Sequence, residues 1–170
     1  MADGSRGTAR DTKDWCDLRV ATYNIHRCRG LDRRVRPERI AAVLATLEPD
    51  VVALQEVIGP GMTGPGHAEQ IGAALGMGWI MAPTRELRRH QFGNVILSRY
   101  PIREHARIDL SWKTCEARGA QRVAVDLGDA GLLHVYNAHL GTALLERRFQ
   151  APKLADWITD KHVVGPRIVL

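Results

Sequence analysis

The chain has few cysteines, few aromatic residues and no long apolar run. The cysteine content and the lack of a long apolar run each argue against a class of protein. Its three cysteines, Cys16, Cys28 and Cys115, include no closely spaced pair, which argues against a disulfide framework and against a structural zinc site. Aromatic residues make up 5% of the chain. No segment reaches the roughly 18 consecutive apolar residues that a membrane-spanning helix needs. Met1 to Asp14 is polar and holds no apolar signal core. We therefore expect a cytoplasmic protein without a membrane span, which begins with a disordered tail over residues 1–16.

The composition that remains is that of one basic globular domain. The chain has 170 residues, 45% of them hydrophobic, which is enough to bury a core, and we expect one domain over residues 17–170. The formal net charge is +5. Arginines concentrate in the segment Arg27–Arg39 and again at Arg85, Arg88 and Arg89. Guanidinium groups suit phosphate oxygens, although a solvated surface explains such a cluster equally well.

Apolar patterning predicts a mixture of helices and strands. An apolar stripe of Ile40, Val43, Leu44 and Leu47 predicts a helix that Pro37 opens and Pro49 ends. The predicted helices are Pro37–Leu47, Ala68–Leu75 and Leu144–Ile158, the last one kinked or divided at Pro152. The predicted strands are Leu18–Ile25, Asp50–Leu54, Trp79–Ala82, Gly93–Ser98, Ile102–Asp109, Gln121–Leu127, Leu132–His139 and a last one from Arg167.

The order of these elements predicts a layered α/β fold with hairpins. We expect Gly93–Ser98 to pair with Ile102–Asp109, and Gln121–Leu127 to pair with Leu132–His139. The segment Gly59–Gly66 is rich in glycine and proline and is expected to be a mobile loop.

Polar side chains follow several of the predicted strands at the point where each strand ends. They are Asn24 and His26, Gln55 and Glu56, Asn94 at the mouth of its strand, and Asn137 and His139. Strand ends that meet at one rim would bring these side chains into a single polar site.

Glu56 is the strongest candidate for a metal ligand. A carboxylate next to a buried strand is costly unless it is paired, hydrogen-bonded or bound to a cation. Mg²⁺ accepts one or two carboxylates together with amide oxygens and water, and Asn24 could supply an amide oxygen. The alternative is that Glu56 pairs with one of the many arginines.

The remaining candidates each have a structural alternative. His139 could stabilise a phosphoryl oxygen or could be a hydrogen-bonded histidine at a strand end. Asn94 and Asn137 are ambiguous because asparagine is common in turns, and Gly93-Asn94 has the look of an ordinary hairpin entry. Arg118 could clamp a phosphate or could pair with Glu116. Cys28 is close to the site in sequence, but nothing pairs it with a base.

Taken in order, five segments resemble the endonuclease/exonuclease/phosphatase (DNase I-like) superfamily. They are Thr22-Tyr23-Asn24-Ile25-His26, Leu54-Gln55-Glu56, Gly93-Asn94-Val95-Ile96-Leu97-Ser98, Arg118-Gly119 and Asn137-Ala138-His139-Leu140-Gly141. The superfamily includes DNase I-like nucleases, apurinic-site endonucleases, inositol polyphosphate phosphatases and neutral sphingomyelinases. The resemblance implies the N-terminal part of a four-layer α/β sandwich, with mostly antiparallel, mixed sheets flanked by helices.

The resemblance also implies roles for individual residues. Asn24 and Glu56 would bind the catalytic ion, Mg²⁺ with Mn²⁺ as a possible substitute. His139 and Asn137 would be catalytic, while Asn94 and Arg118 would lie near the substrate phosphate. The implied reaction is hydrolysis of a phosphoester of a nucleic acid, a phospholipid head group or a sugar phosphate.

The chain departs from the superfamily at its C-terminal end. Members carry a Gly-Asp-Phe-Asn segment directly after the strand that here ends at Leu170, and a Ser-Asp-His segment further on; neither occurs in this sequence. We therefore expect a truncated domain with little turnover of its own, since a general base contributes about 10²–10⁴-fold in rate. We also expect an uncovered face on the first sheet, a bare final strand and no protein partner except a missing C-terminal half. The alternative function is a non-catalytic basic module that binds nucleic acid or anionic lipid.

Overall fold

The computed structural model describes residues 17–62 and 64–170, and the expected disordered tail, residues 1–16, lies outside them. The strands are β1 Val20–Asn24, β2 Val51–Gly61, β3 Gly78–Leu87, β4 His90–Ser98, β5 Ile102–Asp109, β6 Gly119–Asp126, β7 Leu132–Ala138 and β8 Arg167–Val169. The helices are α1 Pro37–Leu47, α2 His67–Leu75 and α3 Leu144–Ile158, with short 3-10 turns at His26–Cys28 and Gly128–Ala130. No helix in the described part of the chain is long and apolar enough to cross a membrane.

The strands form two four-stranded sheets, in the orders β1-β2-β4-β3 and β5-β6-β7-β8. In the first sheet β1 is parallel to β2, whereas β4 is antiparallel to both β2 and β3. In the second sheet β5, β6 and β7 are antiparallel in succession and β8 joins β7 in parallel. The fold is therefore mixed α/β, as predicted.

Alternation along the strands covers both faces of the first sheet. Val52 and Leu54 face α1 and α2, where Leu44 and Ile71 complete one buried cluster. Val51 lies on the other face of β2 and packs against the second sheet in a separate cluster. The expectation that one face of the first sheet is uncovered is thus wrong, because the sheet formed by β5 to β8 covers that face.

The outer face of the second sheet packs against α3. Leu154 of α3 contacts Leu110 and Ala120 in a third cluster. Tyr136 of β7 is fully buried, and its ring meets the ring of Trp157 edge-on at 5.2 Å. The molecule therefore has four layers: one formed by α1 and α2, the first sheet, the second sheet, and one formed by α3.

Two predicted connections are wrong. The strands Gly93–Ser98 and Ile102–Asp109 do not pair with each other, because β4 lies in the first sheet between β2 and β3 and β5 lies at the edge of the second sheet. The segment Gly59–Gly66 is not wholly a loop, since β2 continues through Gly61 and pairs there with His90. Pairing with β4 overrides the local preference of the glycine-rich sequence.

Two helices differ in detail from the prediction. In α1 the buried residues are Pro37, Ala41 and Leu44, while Val43 and Leu47 are 49% and 54% exposed. The buried face is therefore rotated from the predicted stripe. Helix α3 runs unbroken from Leu144 to Ile158 with Pro152 inside it, so the expected division does not occur.

Candidate active site

The chain turns sharply after β1 and brings His26 toward β2. His26, Arg27 and Cys28 have positive φ angles of 45°, 58° and 56°, so three successive residues are left-handed. Hydrogen bonds from Cys28 N–H to Ile25 O (2.8 Å) and from Arg29 N–H to His26 O (3.1 Å) close the turn. Left-handed backbone costs a non-glycine residue roughly 1–2 kcal/mol, and such strain concentrates at functional sites.

A β-bulge in β2 sets the direction of Glu56. The register against β4 shifts between Leu54 and Val57, so that Gln55 and Glu56 together oppose the single residue Asn94. Glu56 itself is left-handed, with a φ of 55°. A bulge redirects side chains. Here it leaves Gln55 buried and the side chain of Glu56 21% exposed.

Asn24, His26 and Glu56 form one hydrogen-bonded group. Asn24 Nδ2 donates to Glu56 Oε1 over 3.1 Å, and His26 Nδ1 lies 3.3 Å from Glu56 Oε2. The backbone N–H of His26 donates to Asn24 Oδ1 over 3.1 Å. The sequence assigned no role to His26, and the structure shows it in contact with the candidate metal ligand.

The charge state of Glu56 follows from these contacts. Burial alone would raise the pKa of Glu56, but the hydrogen bond from Asn24 and the interactions with His26 and His139 outweigh burial and lower it. Glu56 is therefore ionised at neutral pH, which suits a carboxylate that holds a cation.

His139 follows β7 directly and contacts Arg118. Arg118 Nη1 lies 3.2 Å from His139 Nδ1. A guanidinium can only donate, so Nδ1 is the acceptor and Nε2 carries the ring proton. Burial, and next the charge of Arg118, lower the pKa of His139, while Glu56 and Glu116 oppose the shift. At neutral pH the ring is therefore a neutral Nε2–H donor.

Arg118 is held by Glu116 as well as by His139. Its Nη2 lies 2.8 Å from Glu116 Oε2, and Arg85 Nη2 lies 2.6 Å from the other oxygen of the same carboxylate. The Arg118 side chain is 11% exposed, and its Nε is buried without a hydrogen-bond partner among the described residues. Arg118 thus pairs with Glu116, which was the predicted alternative, and this pairing leaves the Nε donor of Arg118 unused. The sequence placed Arg85 in its second arginine cluster but did not predict the pairing of Arg85 with Glu116.

Glu56, Asn94, Arg118 and His139 share one cleft. The cleft is lined by Glu56, Thr84, Phe92, Gly93, Asn94, Ala117, Arg118, Gly119 and His139. An adjoining pocket shares Thr84, Arg118 and Gly119 with it. Four of the six predicted site residues thus line one cleft, and Asn24 is bonded to one of them.

Asn137 has a different position, inside the protein. It is fully buried and does not line the cleft. Its Nδ2 donates to Leu54 O over 3.0 Å and to Val95 O over 2.9 Å, while its Oδ1 accepts from Gln55 Nε2 over 2.8 Å. Asn137 therefore links β7 of the second sheet to β2 and β4 of the first.

Asn94 makes a second link between the sheets. It is 2% exposed, and its Nδ2 donates to Gly119 O over 2.9 Å. Because Gly119 follows Arg118 directly, this bond fixes the start of β6 beside the cleft.

The donors for a metal are few. Among residues 17–62 and 64–170, no three His, Cys, Asp or Glu side chains come together in a group that could hold an ion. Glu56 with the neighbouring amide of Asn24 still fits Mg²⁺, which binds through one or two carboxylates and keeps several waters. Cys28 does not compete for this role, because burial raises the pKa of its thiol to about 12 and keeps it protonated.

Comparison with known proteins assigns the chain to a family. The profile of the Endonuclease/Exonuclease/phosphatase family matches residues 21–164. The chain belongs to this family.

Relatives and solved structures extend the comparison. The uncharacterized protein YbhP of Escherichia coli is 28% identical over 154 residues, which are 84% of this chain and 61% of YbhP. An endonuclease/exonuclease/phosphatase structure from Beutenbergia cavernae has 27% identity and a TM-score of 0.71, over 89% of this chain and 46% of that one. TDP2 from D. rerio, complexed with a single-strand DNA product, shares the fold at 17% identity with a TM-score of 0.62, over 89% of this chain and 58% of that one. The chain thus spans about three fifths of the length of YbhP.

Proposed function

We propose that this protein takes part in the hydrolysis of phosphoester bonds with a divalent ion, Mg²⁺ or in its place Mn²⁺. One observation carries the proposal: an ionised carboxylate, a neutral imidazole and a guanidinium converge on one cleft at Glu56, His139 and Arg118. Membership of the family supports the same class of reaction.

Glu56 would hold the ion, with Asn24 beside it. When bound, the ion neutralises charge on the phosphoryl oxygens. Asn24 donates to Glu56 Oε1 and so keeps the carboxylate in place at the bulge. His26 contacts the other oxygen of Glu56.

His139 and Arg118 would bind the phosphate. The Nε2–H of His139 is free of the Arg118 contact, which uses Nδ1, and it can donate to a phosphoryl oxygen. The Nε of Arg118 is a buried donor with no partner among the described residues, and an anion in the cleft would satisfy it. Because Glu116 and His139 hold the guanidinium, it need not reorganise when the phosphate arrives.

Asn94 and Asn137 would act through other groups. Asn94 lines the cleft, but its Nδ2 is committed to Gly119 O. Asn137 joins the two sheets below the cleft through Leu54 and Val95. We assign both as positioning residues that fix the spacing between Glu56 and the Arg118–His139 pair.

The substrate class stays open among nucleic acid, phospholipid head groups and sugar phosphates. The D. rerio TDP2 structure contains a DNA product, and this supports nucleic acid as one candidate. The cleft residues named above recognise the phosphate that all three classes share.

Binding of Mn²⁺ tests the metal role directly. Titration calorimetry on the folded chain should show Mn²⁺ binding that is lost in Glu56→Gln and kept in Glu104→Gln, a carboxylate on β5 that pairs with Arg122. Equal binding in wild type and Glu56→Gln would exclude Glu56 as the ligand. Inorganic phosphate should then bind the Mn²⁺-loaded protein more weakly in His139→Ala and in Arg118→Met.

Since little turnover is expected from this chain by itself, the test follows the residual release of p-nitrophenol from bis-p-nitrophenyl phosphate, with Mg²⁺ and again after EDTA. The proposal predicts that the release of p-nitrophenol depends on the metal and on Glu56. Release that survives EDTA would show another mechanism.

A further inference from the structure

Three arginines beside the candidate active site have no acidic partner. Arg27 lies within the left-handed turn after β1, Arg29 directly follows that turn, and Arg88 lies at the tip of the β3–β4 hairpin. Among the described residues, none of the three forms an ion pair. They line one groove together with Val35, Ile58 and Leu87.

The backbone is strained at two of these arginines and at the neighbouring Arg89. Arg27, Arg88 and Arg89 have φ angles of 58°, 51° and 65°. Leu87 pairs with His90, so Arg88 and Arg89 are the central residues of a two-residue turn in which both are left-handed. Such turns favour Asn-Gly, because asparagine and glycine tolerate left-handed backbone, whereas arginine adopts it at a steric cost. Strain at unpaired cations indicates a binding function rather than a structural one.

Fully exposed aliphatic side chains stand among these cations. Leu31 is 106% exposed relative to its reference state and Met62 is 86% exposed. Leu31 lies in a tight turn that is closed by hydrogen bonds from Gly30 N–H to Arg34 O (3.1 Å) and from Arg33 N–H to Gly30 O (2.9 Å). An ordered turn presents its apolar tip without further loss of conformational entropy.

Met62 lies beside the tip of the β3–β4 hairpin. Its backbone N–H donates to Arg89 O over 3.2 Å. On the two sides of the groove, Val35 is 52% exposed and Leu87 is half-buried. We call the surface formed by Arg27, Arg29, Leu31, Met62, Arg88 and Arg89 the basic rim.

We propose that the basic rim docks on an anionic phospholipid surface. Cations that lie close to such a surface are attracted by its negative potential. Exposed aliphatic tips enter the boundary between head groups and acyl chains, and arginine stems snorkel beside them. The rim holds both kinds of side chain together.

Nucleic acid is the competing occupant, and the composition of the rim disfavours it. Single strands bind through cations combined with stacking aromatic rings. The groove lining is aliphatic, with no aromatic residue among its described members. Binding to a polyanion also does not explain why the apolar side chains of Leu31 and Met62 are exposed to solvent.

The rim adjoins the candidate active site. Arg27 follows His26, which contacts Glu56, and Ile58 lies two residues beyond Glu56 on β2. A docked protein would therefore hold its cleft close to the lipid surface. The docking itself requires neither the metal nor hydrolysis.

Flotation with phospholipid vesicles tests the proposal, with EDTA present so that the outcome does not depend on Glu56. The chain should bind vesicles that contain phosphatidylglycerol and should not bind vesicles of phosphatidylcholine alone. The triple variant Arg27→Gln/Arg29→Gln/Arg88→Gln should bind roughly a hundredfold more weakly, at about fivefold for each arginine. Its matched control, Arg148→Gln/Lys153→Gln/Lys161→Gln, removes the same charge from the region of α3 and should bind as wild type.

A second pair of variants tests the aliphatic tip. Leu31→Ser should weaken vesicle binding by about tenfold. Leu144→Ser, at a leucine that is 74% exposed at the start of α3, should not. Thermal melting checks that each variant is folded, and if the triple variant melts early, the leucine pair alone decides.

Two results would overturn the proposal. One is equal loss of vesicle binding in the rim variants and their controls. The other is an oligonucleotide that displaces the vesicles and whose own binding depends on the three arginines but not on Leu31, which would assign the rim to nucleic acid.

Discussion

Arg118 Nη1 lies 3.2 Å from His139 Nδ1, and this contact determines which ring nitrogen of His139 carries the proton. The same cation, after burial, keeps the pKa of the imidazole low. A single neighbour thus fixes the tautomer of the residue that faces the cleft and, together with burial, keeps its ring neutral.

Removal of this neighbour should change the titration of His139. In Arg118→Met the pKa of His139 should rise, because the repulsion between the guanidinium and the imidazolium is lost while Glu56 and Glu116 still attract the charged ring. Nitrogen-15 chemical shifts of the ring, followed by NMR against pH, measure this change. Arg122→Met is the control, since Arg122 pairs with Glu104 instead. A pKa that is the same in Arg118→Met and in wild type would contradict the assigned contact.

Asn137 should be important for stability although it lies below the cleft. Asn137→Ala removes three hydrogen bonds in a fully buried position, and we expect a loss of about 2–4 kcal/mol in the free energy of unfolding. Tyr136→Phe is the matched control at the preceding residue. It removes a buried hydroxyl that has no partner in the described part of the chain, and the expected loss is small. Urea denaturation of the two variants gives the comparison, and a similar loss in both would show that the amide bonds do not join the sheets.

The β3–β4 turn should be improvable. Arg88→Asn/Arg89→Gly places residues that accept positive φ where two arginines now stand, and should stabilise the fold by about 1 kcal/mol or more. Arg88→Gln/Arg89→Gln removes the same charges and keeps the strain. Both variants should lose vesicle binding, and only the Asn-Gly variant should gain resistance to urea. Equal resistance would show that the arginines cost nothing in this conformation.

His67 should make the fold sensitive to acid. It is buried at the start of α2, and burial, followed by the charge of His90, lowers its pKa below 6.5. As the pH falls below 6.5, the unfolded chain takes up a proton that the folded ring does not, so the free energy of unfolding decreases. In His67→Gln this decrease should be smaller, as measured by urea denaturation on both sides of the histidine pKa. His105 and His139, whose pKa values are also lowered, account for the remainder.

The sequence predicted the elements of this fold better than it predicted their pairing. Helix α1 has the predicted bounds, and the hairpin of β6 and β7 forms as expected. The pairing of β4 between β2 and β3 was missed, because partners distant in sequence leave no trace in local periodicity. Gly93 shows the reason in detail. It is not a hairpin entry but an interior position of β4, where a Cβ would come within 2.3 Å of Ala82 O on the neighbouring strand.

The candidate site was predictable as a set of residues, but its geometry was not. Polar residues at strand ends led to Glu56, Asn94 and His139, which do share a cleft. The bulge that directs Glu56 and the left-handed turn that brings His26 to it depend on backbone angles that no residue type there favours. Asn137 was misplaced for a related reason, since strand position alone does not distinguish a side chain at the rim from one that faces the opposing sheet.

The amide link through Asn137 has a consequence for which parts of this chain can change. Because short side chains of fixed length join the two sheets from within, the gap between the carboxylate on one sheet and the imidazole on the other is set by the interior. Loops at the mouth of the cleft can then be exchanged while the candidate site keeps its dimensions.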